Sequence, residues 1–470
     1  MKNKLLRNLS ANTVQLVVNQ LLGLVIFYLL STGLDKTNFG QLNLALAILL
    51  VSFNLLSLGI DQVAIRRIAS GHPPQSVLQL YLFHVLLTGL LFYALLFGGS
   101  LLIKLQSGLY PLLLLIGLGK LMIYFSTPFK QASSGLEQFK PLAVMLVISN
   151  LVRSAGLVVL TLLHVLSLQT TIIIFIAGDA FELALCIYLF KKTAKMPITF
   201  GWHKAAYIQL LREALPQTGV VLITSALARF DWIFIGFLVS AAKLAEYSFA
   251  YKVFEMATLP LLAIAPLLIP WFTRLFKQQQ VNASNLKLLL RAELLVAAFT
   301  IVVLNMLWAP VVDVVTAGKY GAVNTHTIFI LTLCIPFLYL NNFLWTIYFA
   351  QSRMKMILTG FIITFLVNVV LDIVLIPIYK NEGAAIAFLA ATIVQSIFYL
   401  SKNALPGLTA IWLNLFACLF CAVLSILLVQ KYFAGGYAGA VFASILFLLL
   451  LVVTTQLRPA DYKAIRKIFN

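Results

Sequence analysis

The chain alternates between long apolar runs and short polar or charged segments along its whole length. A helix needs ~20 apolar residues to cross ~30 Å of hydrocarbon, and each run is long enough to do so. Two pairs of runs are separated by very short turns, so both fourteen and twelve spans fit the pattern. Fourteen spans are predicted at 11–32, 41–64, 77–103, 109–129, 141–163, 168–190, 215–239, 246–272, 292–315, 326–350, 356–379, 383–401, 408–430 and 436–457.

The composition supports an all-α polytopic membrane protein and excludes a soluble one. Hydrophobic residues make up 62% of the chain, against ~45–50% in ordinary globular proteins. Charged residues make up only 10%, against the usual ~25%. A soluble particle with so few polar side chains could not cover its surface.

The charge balance predicts the orientation of the chain. There are 33 Lys and Arg residues against 14 Asp and Glu, which gives a net charge of +19. In a soluble protein this excess would suggest nucleic-acid binding, which the apolar composition argues against. If the termini and every second loop share one side, that side holds 23 of the cations and the other side holds 6. Because cytoplasmic loops are enriched in Lys and Arg, both termini are predicted to be cytoplasmic, and no nucleic-acid partner is expected.

A weak internal repeat predicts two six-helix bundles in a pseudo-twofold arrangement. Leu5–Arg7 and Leu210–Arg212 both read Leu-Leu-Arg, and Asn38–Ile48 parallels Glu246–Met256. Chance similarity between apolar segments is the alternative explanation. The predicted parts are an N-terminal bundle at 1–192, a cytoplasmic linker with an amphipathic helix at 193–214, a second bundle at 215–403, two extra spans at 408–457 and a basic cytoplasmic tail at 458–470.

The loops favour transport over catalysis. Outward loops are short, and no Walker A loop, H-E-x-x-H or G-x-S-x-G motif is present. The four cysteines fall inside predicted spans, where they are interpreted as small packing residues. We therefore expect no catalytic residues, no metal site and no resident cofactor.

Three stretches, Phe39–Gly71, Leu211–Glu255 and Asn368–Ala387, together resemble polysaccharide flippases of the multidrug/oligosaccharidyl-lipid/polysaccharide export superfamily. They share with that family an aromatic-Gly opening and an Arg-rich turn, a Pro and a mid-span Asp, and a Pro followed by Gly-Ala-Ala. The resemblance implies alternating-access export of a polyprenyl-pyrophosphate-linked oligosaccharide to the outer leaflet of a bacterial inner membrane. Membrane lipids and other polysaccharide-assembly proteins are the implied partners. A multidrug or organic-cation antiporter of the same superfamily is the alternative, and a membrane-embedded glycan polymerase or ligase is a distant one.

Four cations, Lys120, Arg153, Arg229 and Lys252, fall inside predicted spans. On insertion scales a cation costs roughly 2.5–3.5 kcal/mol at a helix centre, so each needs a counter-charge, a cavity or a route to the interface. One hypothesis is a cationic cavity for a lipid pyrophosphate, with Arg66 recruiting the substrate at the cytoplasmic mouth. The alternative is structural pairing or snorkelling.

Intramembrane acids suggest ion coupling. Asn368 and Asp372 are four residues apart and share one helix face, and Asp231 lies within a predicted span. The resemblance implies that these three residues bind a coupling ion, Na⁺ or H⁺, as in the lipid-linked peptidoglycan precursor flippases of a related branch. Structural pairing is again the alternative. Asp179 and Glu182, one turn apart, form a further candidate proton site because two nearby like charges favour protonation of one.

Overall fold

The computed structural model describes residues 2–102, 108–278, 282–402, 410–433, 436–458 and 461. Of the predicted tail at 458–470, residues 459–460 and 462–470 lie outside these ranges, as do the last residue of the predicted span 77–103, the last residue of the predicted bundle 215–403 and the first two residues of the predicted span 408–430. Within the described ranges the chain forms fifteen α-helices and a 3-10 helix, Ala322–Asn324, with no β-strand. The α-helices are α1 Lys2–Gly33, α2 Lys36–Leu56, α3 Ile60–Ala69, α4 Pro74–Leu102, α5 Leu109–Gly135, α6 Phe139–Leu162, α7 Leu168–Ala194, α8 Lys204–Leu238, α9 Ala241–Ala257, α10 Leu259–Lys277, α11 Ala283–Thr316, α12 Thr325–Ala350, α13 Met354–Ser401, α14 Ile411–Tyr432 and α15 Tyr437–Val453.

The helices confirm an all-α protein with many spans. Eleven helical segments of the described chain are long and apolar enough to cross a membrane. Helix α13 alone covers two predicted spans, because non-helical backbone at Lys380 (φ 51°, ψ −123°) divides its 48 residues. Helices α9 and α10 together cover the predicted span at 246–272, and α15 is a shorter apolar helix of 17 residues. The described residues of the predicted spans are therefore mostly helical, with a turn at 57–59 dividing the span 41–64 between α2 and α3, while the count of fourteen stays a prediction.

The chain divides into two compact units, Met1–Gly236 and Phe237–Asn470. The division falls later than the predicted linker at 193–214 because α8 begins inside that linker and packs against the first unit. The Asn54 amide of α2 donates to the Ser225 hydroxyl of α8 at 2.9 Å. The predicted amphipathic helix is thus the beginning of a long spanning helix, and the two-bundle arrangement stays a prediction.

In the first unit, α5 is the central helix and packs against α2, α3, α4 and α7. Small residues allow these close approaches, as in other membrane bundles. A Cβ built on Gly89 of α4 would lie 2.8 Å from a Leu121 methyl group of α5. This packing places the polar side chains of α5 beside those of α2 and α7.

In the second unit, α12 is the central helix and contacts α10, α11 and α13. Its Asn341 amide donates to the Gln395 side chain of α13 at 3.1 Å and accepts from the Ser396 hydroxyl at 2.8 Å. Helices α14 and α15, the predicted extra spans, pack on α11 through an apolar cluster that includes Cys418 and Cys421. These two cysteines are packing residues, as the sequence predicts.

Candidate functional site

A cavity of about 360 Å³ lies within the first unit, between α2, α3, α5 and α8. This volume is within the range of small-ligand pockets. The residues that line it are Asn43, Leu46, Ala47, Leu49, Leu50, Phe53, Asn54, Ser57, Asp61, Lys120, Ile123, Tyr124, Thr127, Arg229 and Trp232.

Contacts between the helices place two cations at the same depth of this cavity. Helix α8 runs antiparallel to α2, since Asn54 meets Ser225 and Leu44 meets Gly236. Helix α5 runs parallel to α2, with the rings of Phe53 and Tyr124 5.3 Å apart. In this register both Lys120 of α5 and Arg229 of α8 lie near the level of Leu50, in the middle of α2.

Neither of these cations has a carboxylate partner among the described residues. Lys120 forms no hydrogen bond or ion pair with any of them. Arg229 donates one hydrogen bond, to the Ala228 carbonyl oxygen at 2.6 Å. Its guanidinium carbon lies 4.4 Å from the ring centroid of Trp232, a cation–π contact that holds the head group at the cavity wall. The cavity therefore presents two positive charges available to a ligand.

Arg153 lies apart from this cavity, in a buried ion pair with Asp179. The two side chains are only 9% and 2% exposed, and the Ser149 hydroxyl also donates to Asp179, at 2.9 Å. The guanidinium carbon lies 4.7 Å from the Phe175 ring centroid. The structure therefore shows an ion pair for Arg153, and a contact of Arg153 with substrate stays a prediction.

A second buried ion pair joins Lys130 of α5 to Glu182 of α7 at 2.6 Å. Asp179 and Glu182 therefore each have their own cation. The idea that they form a like-charge pair sharing a proton loses its physical basis, because each charge is compensated separately. The two pairs connect α5 and α6 to α7.

At the α3 end of the cavity, Arg66 and Arg67 both bind Glu213 of α8. Arg67 is nearly buried and donates to both carboxylate oxygens, at 2.8 and 3.1 Å, whereas Arg66 is largely exposed and donates at 3.2 Å. The turn between α2 and α3 packs tightly on α8, where the Thr218 hydroxyl donates to the Leu58 carbonyl oxygen at 2.8 Å. These contacts join α3 and the α2–α3 turn to α8.

The remaining predicted residues are distributed over both units. Lys252 pairs with Glu255 at 2.7 Å in the second unit. Asp231 is buried in the first unit and accepts the Trp232 backbone N–H at 2.8 Å. Asn368 and Asp372 are buried one turn apart on α13, on a shared face as predicted.

Among the described residues no group of three or more His, Cys, Asp and Glu side chains is arranged to hold a metal ion.

Three residues in or near the candidate site are not identified by the sequence analysis. They are Asp61, Lys130 and Glu213. Asp61 lines the cavity and accepts a hydrogen bond from the Tyr81 hydroxyl. Lys130 reads as a loop residue, yet α5 continues past Pro128 and buries it. Their partners are distant in sequence, so no local pattern marks them.

The fold and the cavity define a class: a multi-pass membrane protein with the fold of flippases and multidrug transporters. The structure resembles that of lipid II flippase MurJ in an inward closed conformation, with a TM-score of 0.75 and 14% identity, over 94% of this chain and 98% of that one. It also resembles an inward-facing MATE family multidrug resistance transporter of the MOP superfamily, with a TM-score of 0.65 and 13% identity, over 90% and 99% of the two chains.

A third similar structure is a MOP superfamily transporter from Pyrococcus furiosus, with a TM-score of 0.56 and 13% identity, over 85% of this chain and 95% of that one. No curated protein sequence matches this chain significantly. Residues 5–276 match the family model described as polysaccharide biosynthesis protein, and the matched region is more than half of the chain. The protein belongs to this family.

Proposed function

We propose that this protein flips a polyprenyl-pyrophosphate-linked oligosaccharide from the cytoplasmic to the outer leaflet of a bacterial inner membrane. The observation that carries the proposal is the pair of cations, Lys120 and Arg229, in the cavity of the first unit. Membership of the polysaccharide biosynthesis family and the fold of a lipid II flippase support the same substrate class.

The chemistry of a diphosphate suits these two side chains. A diphosphate carries two or more negative charges, which must lose water when the head group enters the membrane interior. A guanidinium offers a planar fork of donors to phosphate oxygens, and an ammonium offers a mobile point charge. Lys120 has no carboxylate partner among the described residues, so an anionic ligand would supply the counter-charge that this cation lacks.

The other predicted features fit the proposal as follows. We propose that both termini are cytoplasmic, so that the Arg66 and Arg67 contacts to Glu213 form a gate at the cytoplasmic mouth. Opening this gate requires the two arginines to exchange one carboxylate for substrate phosphates, which offer the same bidentate geometry. Membrane lipids and other polysaccharide-assembly proteins remain proposed partners, and the transport cycle contains no covalent step.

Ion coupling remains part of the proposal, with Asp231 in the first unit, and Asn368 and Asp372 in the second, each a candidate to bind Na⁺ or H⁺. Carboxylate and amide oxygens are suitable hard ligands for Na⁺. The test is uptake by proteoliposomes with an imposed Na⁺ or pH gradient. Flux that is insensitive to both gradients would exclude coupling.

A multidrug or organic-cation antiporter is the second candidate, favoured by the likeness to MATE transporters and by the acid Asp61 in the cavity. Two cations against one acid disfavour it, because the net charge of the lining residues repels a cationic drug. The two functions make opposite predictions for Lys120→Gln. The substitution should weaken diphosphate binding and strengthen cation binding.

The test is transport in proteoliposomes of a fluorescent short-chain polyprenyl diphosphate disaccharide, with the monophosphate analogue as comparison. Removing a charged hydrogen-bond partner costs ~1.5–3 kcal/mol, so Lys120→Gln and Arg229→Gln should each lower the rate about 10-fold or more. Lys355→Gln removes an exposed charge at the start of α13 and is the matched control. Wild-type transport by both cavity variants would refute the proposal.

A further inference from the structure

The cavity has a second, polar end that the two cations do not explain. Beyond the level of Lys120, towards α3, its wall carries the side chains of Asn54, Ser57, Asp61 and Thr127. Lys120 and Thr127 are seven residues apart on α5, which is about 10 Å along the helix. This length accommodates a phosphate and the sugar ring attached to it.

Asp61 is a carboxylate with unused binding capacity. Its Oδ1 accepts the hydrogen bond from the Tyr81 hydroxyl, which is its one side-chain hydrogen bond within the described chain. It forms no ion pair with any described cation, and nearby Lys130 is already held by Glu182. The Tyr81 contact therefore orients the carboxylate without neutralising it.

Asn54 adds an oriented amide. Its Nδ2 donates to the Ser225 hydroxyl at 2.9 Å, which leaves Oδ1 as an acceptor for a ligand. The Phe53 and Tyr124 rings lie 5.3 Å apart at the same level. Carboxylate and amide oxygens that accept from hydroxyl groups, beside an aromatic surface that packs on C–H groups, form the chemistry that binds a sugar ring.

We propose that this polar end, formed by Asn54, Ser57, Asp61 and Thr127, holds the first sugar of the lipid-linked substrate and selects against an acidic sugar. The inference rests on the proposed function, in which Lys120 and Arg229 hold the adjacent diphosphate. A neutral sugar donates hydroxyl hydrogen bonds to Asp61. A uronic acid brings a second carboxylate beside Asp61, and like charges at close range in a low-dielectric site repel strongly.

The test is binding to the full-length protein in nanodiscs, with three short-chain polyprenyl diphosphates as probes. One probe carries no sugar, one carries N-acetylglucosamine and one carries glucuronic acid. The wild-type protein should bind the N-acetylglucosamine probe about 10-fold more tightly than the other two. Asp61→Asn should remove the discrimination between the two sugar probes, and it should tighten binding of the sugar-free probe because it removes a negative charge from the cavity.

Two further variants keep the outcome interpretable. Asn54→Leu should make the N-acetylglucosamine probe bind no more tightly than the sugar-free probe. This variant tests the inference if Asp61→Asn does not fold. Glu255→Gln removes an acid from the second unit and should change nothing. Equal binding of the three probes by wild type, or full discrimination by Asp61→Asn, would overturn the inference. The proposed function fails separately, if Lys120→Gln leaves binding of the sugar-free probe unchanged.

Discussion

The buried ion pair between Arg153 and Asp179 can be separated experimentally from substrate binding. The perturbation is a double-mutant cycle with Arg153→Met, Asp179→Asn and the two substitutions combined. Either single change leaves one charge without its partner in the bundle, where the side chains are only 9% and 2% exposed. Breaking a buried pair in this way costs about 3–5 kcal/mol, whereas replacing both members with neutral groups is often close to neutral.

The assay is equilibrium unfolding of the purified protein in mixed micelles, followed by circular dichroism. We expect each single variant to lose about 3–5 kcal/mol and the double variant to stay close to the wild type, so that the coupling energy approaches the sum of the two single losses. The matched control is the pair of Lys252 and Glu255, whose side chains are 23% and 40% exposed. Because exposed pairs contribute little, its coupling energy should stay below about 1 kcal/mol.

Transport by the same variants then distinguishes the two sequence-based interpretations of Arg153. If the residue only holds α6 to α7, the double variant recovers both stability and transport. If Arg153 also contacts substrate, the double variant is stable but inactive. Additive losses of stability, with no recovery in the double variant, would refute the reasoning that the charges compensate each other.

Three further predictions concern close packing and cysteine accessibility. A Cβ at Gly119 would lie 2.5 Å from the Asp179 carboxylate, so Gly119→Ala should destabilise the protein by about 1–3 kcal/mol. Gly219→Ala should not destabilise the protein, because a Cβ built on Gly219 would meet no neighbouring group within 4 Å. Equal stability of the Gly119→Ala and Gly219→Ala variants in mixed micelles would contradict this prediction. Gly59 has φ +70°, and a Cβ built on it would lie 2.6 Å from the Gln217 Cβ, so Gly59→Ala should also cost about 1–3 kcal/mol in the same unfolding assay. The four cysteines are buried, and a membrane-permeant maleimide should label them only after unfolding in SDS; labelling of the folded protein would exclude this packing.

The spans are predictable from sequence because the bilayer sets the length of an apolar run, whatever its neighbours are. The environment of a charged residue near the end of a span cannot be predicted from sequence in the same way, as Lys130 shows. A Lys at the edge of an apolar run reads as a loop residue, since a lone cation avoids hydrocarbon. Here Glu182 supplies the counter-charge from 52 residues away, and only the packing of α5 on α7 reveals it.

The candidate site shows the same limit. The sequence identifies Lys120, Arg153, Arg229 and Lys252 as one group because all four interrupt apolar runs. The structure divides them by their contacts. Arg153 pairs with an acid on another helix, Lys252 and Arg229 contact residues of their own helices, and Lys120 forms no ion pair with a described residue. The sequence does not identify Asp61 as a site residue, because it lies near the end of a predicted span, where charged residues are common.

The balance of charge around α5 is the physical basis for proposing an anionic ligand. Lys130 and Arg153 are each matched by one buried acid, so these two pairs are neutral and contribute stability without demanding a ligand. Lys120 sits on the same helix as Lys130 and is left with no acid of its own among the described residues. Since a cation without a paired acid is costly in hydrocarbon, under the proposed function a substrate phosphate would supply Lys120 with the ion pair that it lacks. In the proposed function, binding energy of this kind would favour the anionic ligand over a neutral lipid of the same length, and this is the selectivity that a lipid-diphosphate carrier requires.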